Sequence, residues 1–237
     1  MSLGTGTAQS AEIVVFSTIS AKEALIELVP AFERASGHKV NITYAGGSGL
    51  SKQILGGTQG HLFIGPEEFS DPLLKEGKLL TGSRTAFARS STGLAVRAGA
   101  PKPDISSPEK LKRALLAAGA VSYSTGASGM HFVKVLERLG IADVIAAKRI
   151  APRAGELVGA VVARGDADIA VQQISELLPV PGIDILDPLP AEFQQTISYG
   201  ATAFPQSTQR EAAQAFVNFL RSAAARAVLR EKGLDPA

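Results

Sequence analysis

The chain contains no cysteine, which excludes disulfides, thiolate zinc or iron–sulfur centres and a cysteine nucleophile. Its apolar runs are short. Segments such as Ile13–Phe16 and Gly93–Val96 fall far below the roughly 20 residues needed to cross a bilayer. An excess of one charge sign is also missing: 24 Lys and Arg stand against 22 Asp and Glu, a net charge of +2 spread along the sequence. This gives little support for an electrostatic grip on a nucleic-acid backbone. Gly and Pro, at 24 and 13 of 237 residues, stay below low-complexity levels and 45% of residues are apolar, so disorder and collagen-like repeats are excluded. The start, Met1-Ser2-Leu3-Gly4-Thr5-Gly6-Thr7, has no charged region followed by an apolar stretch. Residues 1–10 therefore read as an added or disordered leader joined to a mature sequence whose secretion signal has been removed.

What is present is an alternation of short apolar runs and amphipathic segments, in a chain long enough for one to two domains. Ile13-Val14-Val15-Phe16 suits a strand buried on both faces. Ala24, Leu25, Leu28 and Phe32 then recur at helical spacing until Ser36-Gly37. A second strand is expected at Lys39–Tyr44, a helix carrying Leu50, Ile54 and Leu55, and a third strand at Leu62–Ile64. This order predicts a mostly parallel sheet with covering helices. Beyond Pro101, Pro103 and Pro108 the same grammar resumes, with helices at Glu109–Ala118, His131–Leu139 and Gly155–Arg164 and strands at Ala120–Tyr123 and Asp168–Val171. The tail Arg210–Lys232 reads as one long amphipathic helix with Phe216, Phe219 and Leu220 on one face, and it needs a surface to cover. Placing it on the first unit makes that unit discontinuous. The expectation is a lobe from 11–88 and 194–237 and an inserted lobe from 89–193, with two crossing hinge strands and a cleft between them.

Three times a strand ends, small polar or glycine residues follow, and a helix begins: Ser17–Ser20, Gly46–Gly49 and Ser124–Gly129. The first N–H groups of a helix lack intrahelical partners and carry about half a positive charge, so each turn is a candidate anion cradle as well as a candidate cap. Other chemistries lack their motifs. The phosphate loop and Gly-x-Gly-x-x-Gly are absent at Gly46–Gly49, and Thr125-Gly126-Ala127-Ser128-Gly129 is not a nucleophile elbow. Ser128 and His131 lie only at a chance helical spacing, and His38, His61 and His131 are too scattered for a metal site. Glu67, Glu68 and Asp71 read as a solvated face near a helix start. No metal, cofactor or catalytic set is expected.

Taken in order, Val15–Ala21, Tyr44–Ile54, Leu62–Ile64, Ser128–Gly140 and Gly155–Ala170 resemble the periplasmic solute-binding proteins of ABC importers, in the molybdate-binding-like branch. The resemblance implies an α/β, two-lobed type II periplasmic binding fold that closes on a small-molecule or oxyanion ligand. It also implies a monomer in the periplasm and an ABC-importer membrane permease as partner, with neither nucleic-acid binding nor direct membrane insertion. Matched residue by residue, it places ligand contacts at Thr18, Ser20, Gly47, Ser48, Ser128, Gly129, Gly155 and Gln173. Two positions depart from the branch: Gly47 stands where a serine is usual and Gln173 where a tyrosine is. A fully ionised oxyanion presents only acceptors, whereas an amide both donates and accepts. Gln172 and Gln173 therefore suit a small organic acid better than molybdate, and Arg89 is a candidate partner for its carboxylate. The competing readings are a ligand-sensing effector module and an enzyme on the same scaffold.

Overall fold

The computed structural model describes residues 10–153 and 155–237; of the expected leader, residues 1–9 lie outside the described residues. The chain opens with β1 (Glu12–Thr18), a single 3-10 turn (Ile19–Ala21), α1 (Lys22–Ser36), β2 (Lys39–Ala45), α2 (Gly47–Leu55), β3 (Leu62–Pro66) and α3 (Glu67–Lys75). The long β4 (Thr85–Arg97) leads to α4 (Pro108–Ala117), β5 (Val121–Tyr123), α5 (Ala127–Arg138), α6 (Ala142–Ala147), α7 (Val158–Ala163), β6 (Ile169–Gln173), α8 (Ile174–Leu177) and β7 (Ile183–Ile185). It returns through β8 (Thr196–Ala203), α9 (Arg210–Leu220), α10 (Ala223–Glu231) and β9 (Asp235–Pro236).

Strand order is β2-β1-β3-β8-β4-β6-β5, with β7 and β9 also on β4. The β2-β1-β3 and β5-β6 pairs are parallel, as the sequence grammar predicts. The pairs that join them, β3-β8, β8-β4 and β4-β6, are antiparallel, so the sheet is mixed. β4 is the shared member. Residues Thr85–Ser91 pair with β8, and residues Thr92–Ala95 pair with β6. Near this switch Gly93 has no side chain, and a Cβ there would meet the Ile174 side chain at 2.2 Å. The glycine lets α8 lie directly on β4.

The apolar residues divide accordingly. One core takes Ile13 and Val15 of β1, Leu25, Leu28 and Phe32 of α1, Phe63 of β3, Tyr199 of β8 and Phe216 and Leu220 of α9. A second takes Leu94, Leu111, Val121, Phe132, Ile169 and Phe193, and a third cluster holds Val158, Val161 and Leu177. The C-terminal segment does cover the first core: the Phe216 and Phe219 rings lie 4.9 and 5.6 Å from that of Phe32.

Several boundaries differ from the sequence expectation. The tail is two helices, because the Ser222 hydroxyl accepts the Ala225 N–H at 3.2 Å and caps a new start. Helix α5 begins at Ala127, four residues earlier than expected, after the extended Gly126. Helix α7 begins only at Val158, since Gly155 sits at φ +76°, outside the helical region. Phe216, fully buried between α1 and the sheet, is expected to anchor the C-terminal cover. Truncation in Phe216→Ala should cost about 3–5 kcal/mol, read by urea denaturation.

Candidate functional site

Helix starts converge where strands end. β1 runs into the turn at Thr18–Ser20, β2 into α2 at Gly46-Gly47, and β5 into α5 through Ser124–Ser128; these segments line one cavity of about 460 Å3. Residues 149, 151–153 and 155–157 before α7, and the β6 end with α8, complete its wall. The starts of α1, α2, α5 and α7 have no side-chain cap. Side-chain caps occur at Ser107 of α4 and Ser222 of α10, while α6 and α9, which also start outside the cavity wall, are uncapped as well. The N-cap residues of α1, α2, α5 and α7 therefore supply no acceptor of their own; the α7 start is met by Gln172 Oε1 and the Gly126 N–H before α5 by the Ser124 hydroxyl.

Of the residues expected to bind, Thr18, Ser20, Gly47, Ser128, Gly155 and Gln173 are brought together on this wall. Ser48 and Gly129 follow Gly47 and Ser128 in the first turns of α2 and α5 and do not line the cavity. Gly129 has a packing reason instead, because a Cβ there would sit 1.8 Å from the Ser124 carbonyl oxygen. Arg89 requires a correction. Strand alternation turns Ser90 inward, fully buried, and leaves Arg89 exposed on β4 between Ser198 of β8 and Asp235 of β9, away from the cavity.

The two departures from the molybdate-binding-like pattern have distinct physical reasons. At Gly47 a Cβ would lie 2.3 Å from the Phe69 ring, so this aromatic occupies the place of any side chain. Gln173 is only 1% exposed and neither atom of its amide has a partner within the protein; the Thr18 hydroxyl, 3% exposed, is likewise unpartnered. Buried polar groups left this way cost free energy unless something bound satisfies them. The neighbouring Gln172 is used differently: its Oε1 accepts the Val158 N–H at 2.8 Å, at the start of α7.

Four charged groups in the wall, Arg149, Arg153, Glu156 and Glu176, carry no signal in the sequence. Arg149 donates from Nε and Nη2 to the Tyr123 carbonyl at 3.2 and 3.0 Å, and its guanidinium lies 4.6 Å from the Tyr123 ring centre. It is half-buried and held in place. Arg153 is exposed nearby, its backbone N–H bound by Glu156 at 2.9 Å, and Glu156 is itself ion-paired with Arg164. These contacts hold the Glu156 carboxyl below its ordinary range. Glu176 on α8 behaves oppositely. Burial pushes its carboxyl up to about 7, opposed by the Ser20 hydroxyl, the Gln172 side chain and the Gln173 backbone. In a sequence with 24 Lys and Arg and 22 Asp and Glu, no local motif sets these four apart.

The histidines are structural. His61 Nδ1 accepts the Val14 N–H at 2.8 Å, His38 Nδ1 accepts the Ala11 N–H at 3.2 Å, and His131 Nε2 lies 2.7 Å from the Phe193 carbonyl oxygen. Glu67 and Asp71 pair with Arg84 at the surface. No group of potential metal ligands occurs among the described residues, and among them no helix is long and apolar enough to cross a membrane.

Residues 13–235 match the model of the family described as bacterial extracellular solute-binding protein. An aconitate isomerase from a Pseudomonas species is 35% identical over 233 residues, covering 94% of this chain and 87% of that protein. The molybdate-binding protein ModA of Azotobacter vinelandii is 24% identical over 98% of this chain and 95% of its own. Among solved structures, the sulfate-binding protein SubI of Mycobacterium tuberculosis superposes with a TM-score of 0.80 at 18% identity, covering 96% of this chain and 87% of that one.

Two outcomes follow for the site. Gly47→Ser should not simply add a hydroxyl donor; by displacing Phe69 it should cost about 1–3 kcal/mol in urea denaturation. Glu176 binds its proton more tightly folded than unfolded, so the folded state loses stability as pH rises from the ordinary carboxylate range near 4.5 toward about 7. Glu176→Gln lacks this loss. Its stability relative to the parent chain should therefore rise across that window by up to roughly 3 kcal/mol, checked by denaturation at about pH 4 and about pH 8.

Proposed function

The chain belongs to the bacterial extracellular solute-binding proteins, and from that membership we propose that it captures a small organic polycarboxylate between two lobes that close about β4 and the crossing segment before β8. The lobes are residues 11–88 with 194–237 and residues 89–193. The observation that carries this reading is the pair Arg149 and Arg153 in the same wall as the uncapped starts of α2 and α5. Planar guanidinium groups bind carboxylates bidentately, and helix-end N–H groups donate to further anionic oxygens. The amide of Gln173, able to donate and accept, suits a ligand with hydroxyl or carboxyl groups better than a bare tetrahedral oxyanion. The cavity of about 460 Å3 is in the range for a metabolite. The relative named for acting on aconitate, a tricarboxylate, supports the same class. In this reading the protein works in the periplasm and hands its ligand to an ABC-importer permease.

A second reading is catalysis on the bound acid. The 35% identity to an aconitate isomerase favours it, as does Glu176, a cavity carboxyl able to exchange a proton near neutrality. Proton NMR of cis-aconitate incubated with the protein separates the two: appearance of the trans isomer establishes turnover, and unchanged substrate leaves capture alone.

Capture is tested by calorimetric titration with trans-aconitate, citrate, molybdate, tungstate and sulfate. Binding of a polycarboxylate, weakened about tenfold or more in Arg149→Ala, is the expected result. Binding of molybdate or tungstate alone would overturn the polycarboxylate reading in favour of an oxyanion.

A further inference from the structure

Glu176 is an unexpected residue for an anion site. The cavity wall holds two acids, and Glu156 is already engaged by Arg164. Glu176 has no cationic partner within salt-bridge distance among the described residues, although part of its side chain opens on the cavity.

The elements packed on α8 supply no cation either. The 19–21 turn, β6 and α7 contain no ionisable residue, and the two arginines of β4, Arg89 and Arg97, are exposed. From β8, Tyr199 presents a fully buried phenol whose hydroxyl has no hydrogen-bond partner, and Glu68 of α3 adds negative charge to that neighbourhood. On the far side of α8, Glu23, Glu231 and Lys232 border a separate groove with Ser175 and Leu178. Arg149 and Arg153 belong to the loop before α7 in the cavity wall.

An ionised carboxylate here would repel a polyanion in the same cavity; a neutral carboxyl would instead donate a hydrogen bond to it. The Gln172 amide is already oriented by the Val158 N–H, which accounts for its Oε1 and leaves its Nε2 donors for another acceptor. A neutral Glu176 can accept such a donor on its carbonyl oxygen while its own O–H points to a ligand.

We infer that Glu176 is a specificity-determining member of the binding site that enters the closed complex as a neutral acid donating to a ligand carboxylate, so that capture of a fully ionised polycarboxylate takes up a proton. This deepens the polycarboxylate reading and rests on it. Burial raises the carboxyl to about 7 before any ligand arrives, and a bound polyanion raises it further. Near neutral pH a fraction of the molecules must gain a proton on binding, and affinity must fall as pH rises past that range.

The test is calorimetric titration of the intact chain with trans-aconitate near pH 7 in PIPES and in imidazole, whose ionisation heats differ. A difference in observed heat that corresponds to uptake of a substantial fraction of a proton is expected, with affinity falling up to about tenfold per pH unit above neutrality. Glu176→Gln, checked for folding by thermal unfolding, should bind with no proton uptake and a flat pH profile between about pH 6 and about pH 8. Binding without uptake by the parent chain, or the same uptake in Glu176→Gln, would overturn the assignment while leaving the polycarboxylate reading intact. Absence of trans-aconitate binding, with citrate equally silent, would overturn both.

Discussion

The change of partners along β4 is the constraint on which the other features depend. A strand of thirteen residues pairs with β8 over its first half and with β6 over its second. Because hydrogen-bond register in a sheet cannot slip by one residue without turning every side chain to the other face, this switch fixes which side chains of β4 each core receives. It also fixes what lies at the seam. Thr92 is opposite Gln173, Gly93 admits α8, and Ser90 points inward where Arg89 points out. The floor of the cavity is thus a product of strand pairing, and its walls are the helix starts that the parallel strands deliver to the same edge.

Electrostatically the cavity is not uniform. Helix ends and two arginines make one side receptive to negative charge, and the fixed dipoles involved need no reorganisation when an anion arrives. Near the seam the character changes to buried groups with unspent hydrogen-bonding capacity: the Gln173 amide and the Thr18 hydroxyl. Such groups are expensive in a finished core and inexpensive in a place that something else will fill. The Gly47 and Gln173 departures fall within this division. Phe69 takes the volume over Gly47, and the wall carries the Arg149 and Arg153 side chains and the Gln173 amide beside it.

Much of this was legible in the sequence because it depends on local chemistry. Strand runs such as Ile13–Phe16, helix faces such as Leu25, Leu28 and Phe32, and the repeated strand–small residue–helix turns carry their periods openly, and the tail's aromatic stripe demanded the first core. What was hidden depends on tertiary register. The sequence around Arg89 and that around Arg149 look equally basic, and only strand alternation in β4 and the Tyr123 carbonyl separate an exposed residue from a positioned one. Glu176 becomes unusual only because β6, α7 and the 19–21 turn surround it with uncharged groups. Ser222, which divides the tail helix, is a single hydroxyl in an otherwise continuous helical pattern.

The last residues of the chain are stitched into the seam itself. The Ser90 hydroxyl donates to the Gly233 carbonyl at 3.0 Å, the Ala237 N–H donates to the Phe87 carbonyl at 3.0 Å, and β9 lies along Ala88 and Arg89. β8, which completes the first sheet, and α9 and α10, which cover it, also come late. During synthesis β1, β2 and β3 emerge together and can pair with one another, whereas β8, the second partner of β3, emerges much later. The first core is complete only when β8, α9 and α10 join the amino-terminal strands, whereas the second core is built entirely from residues between them.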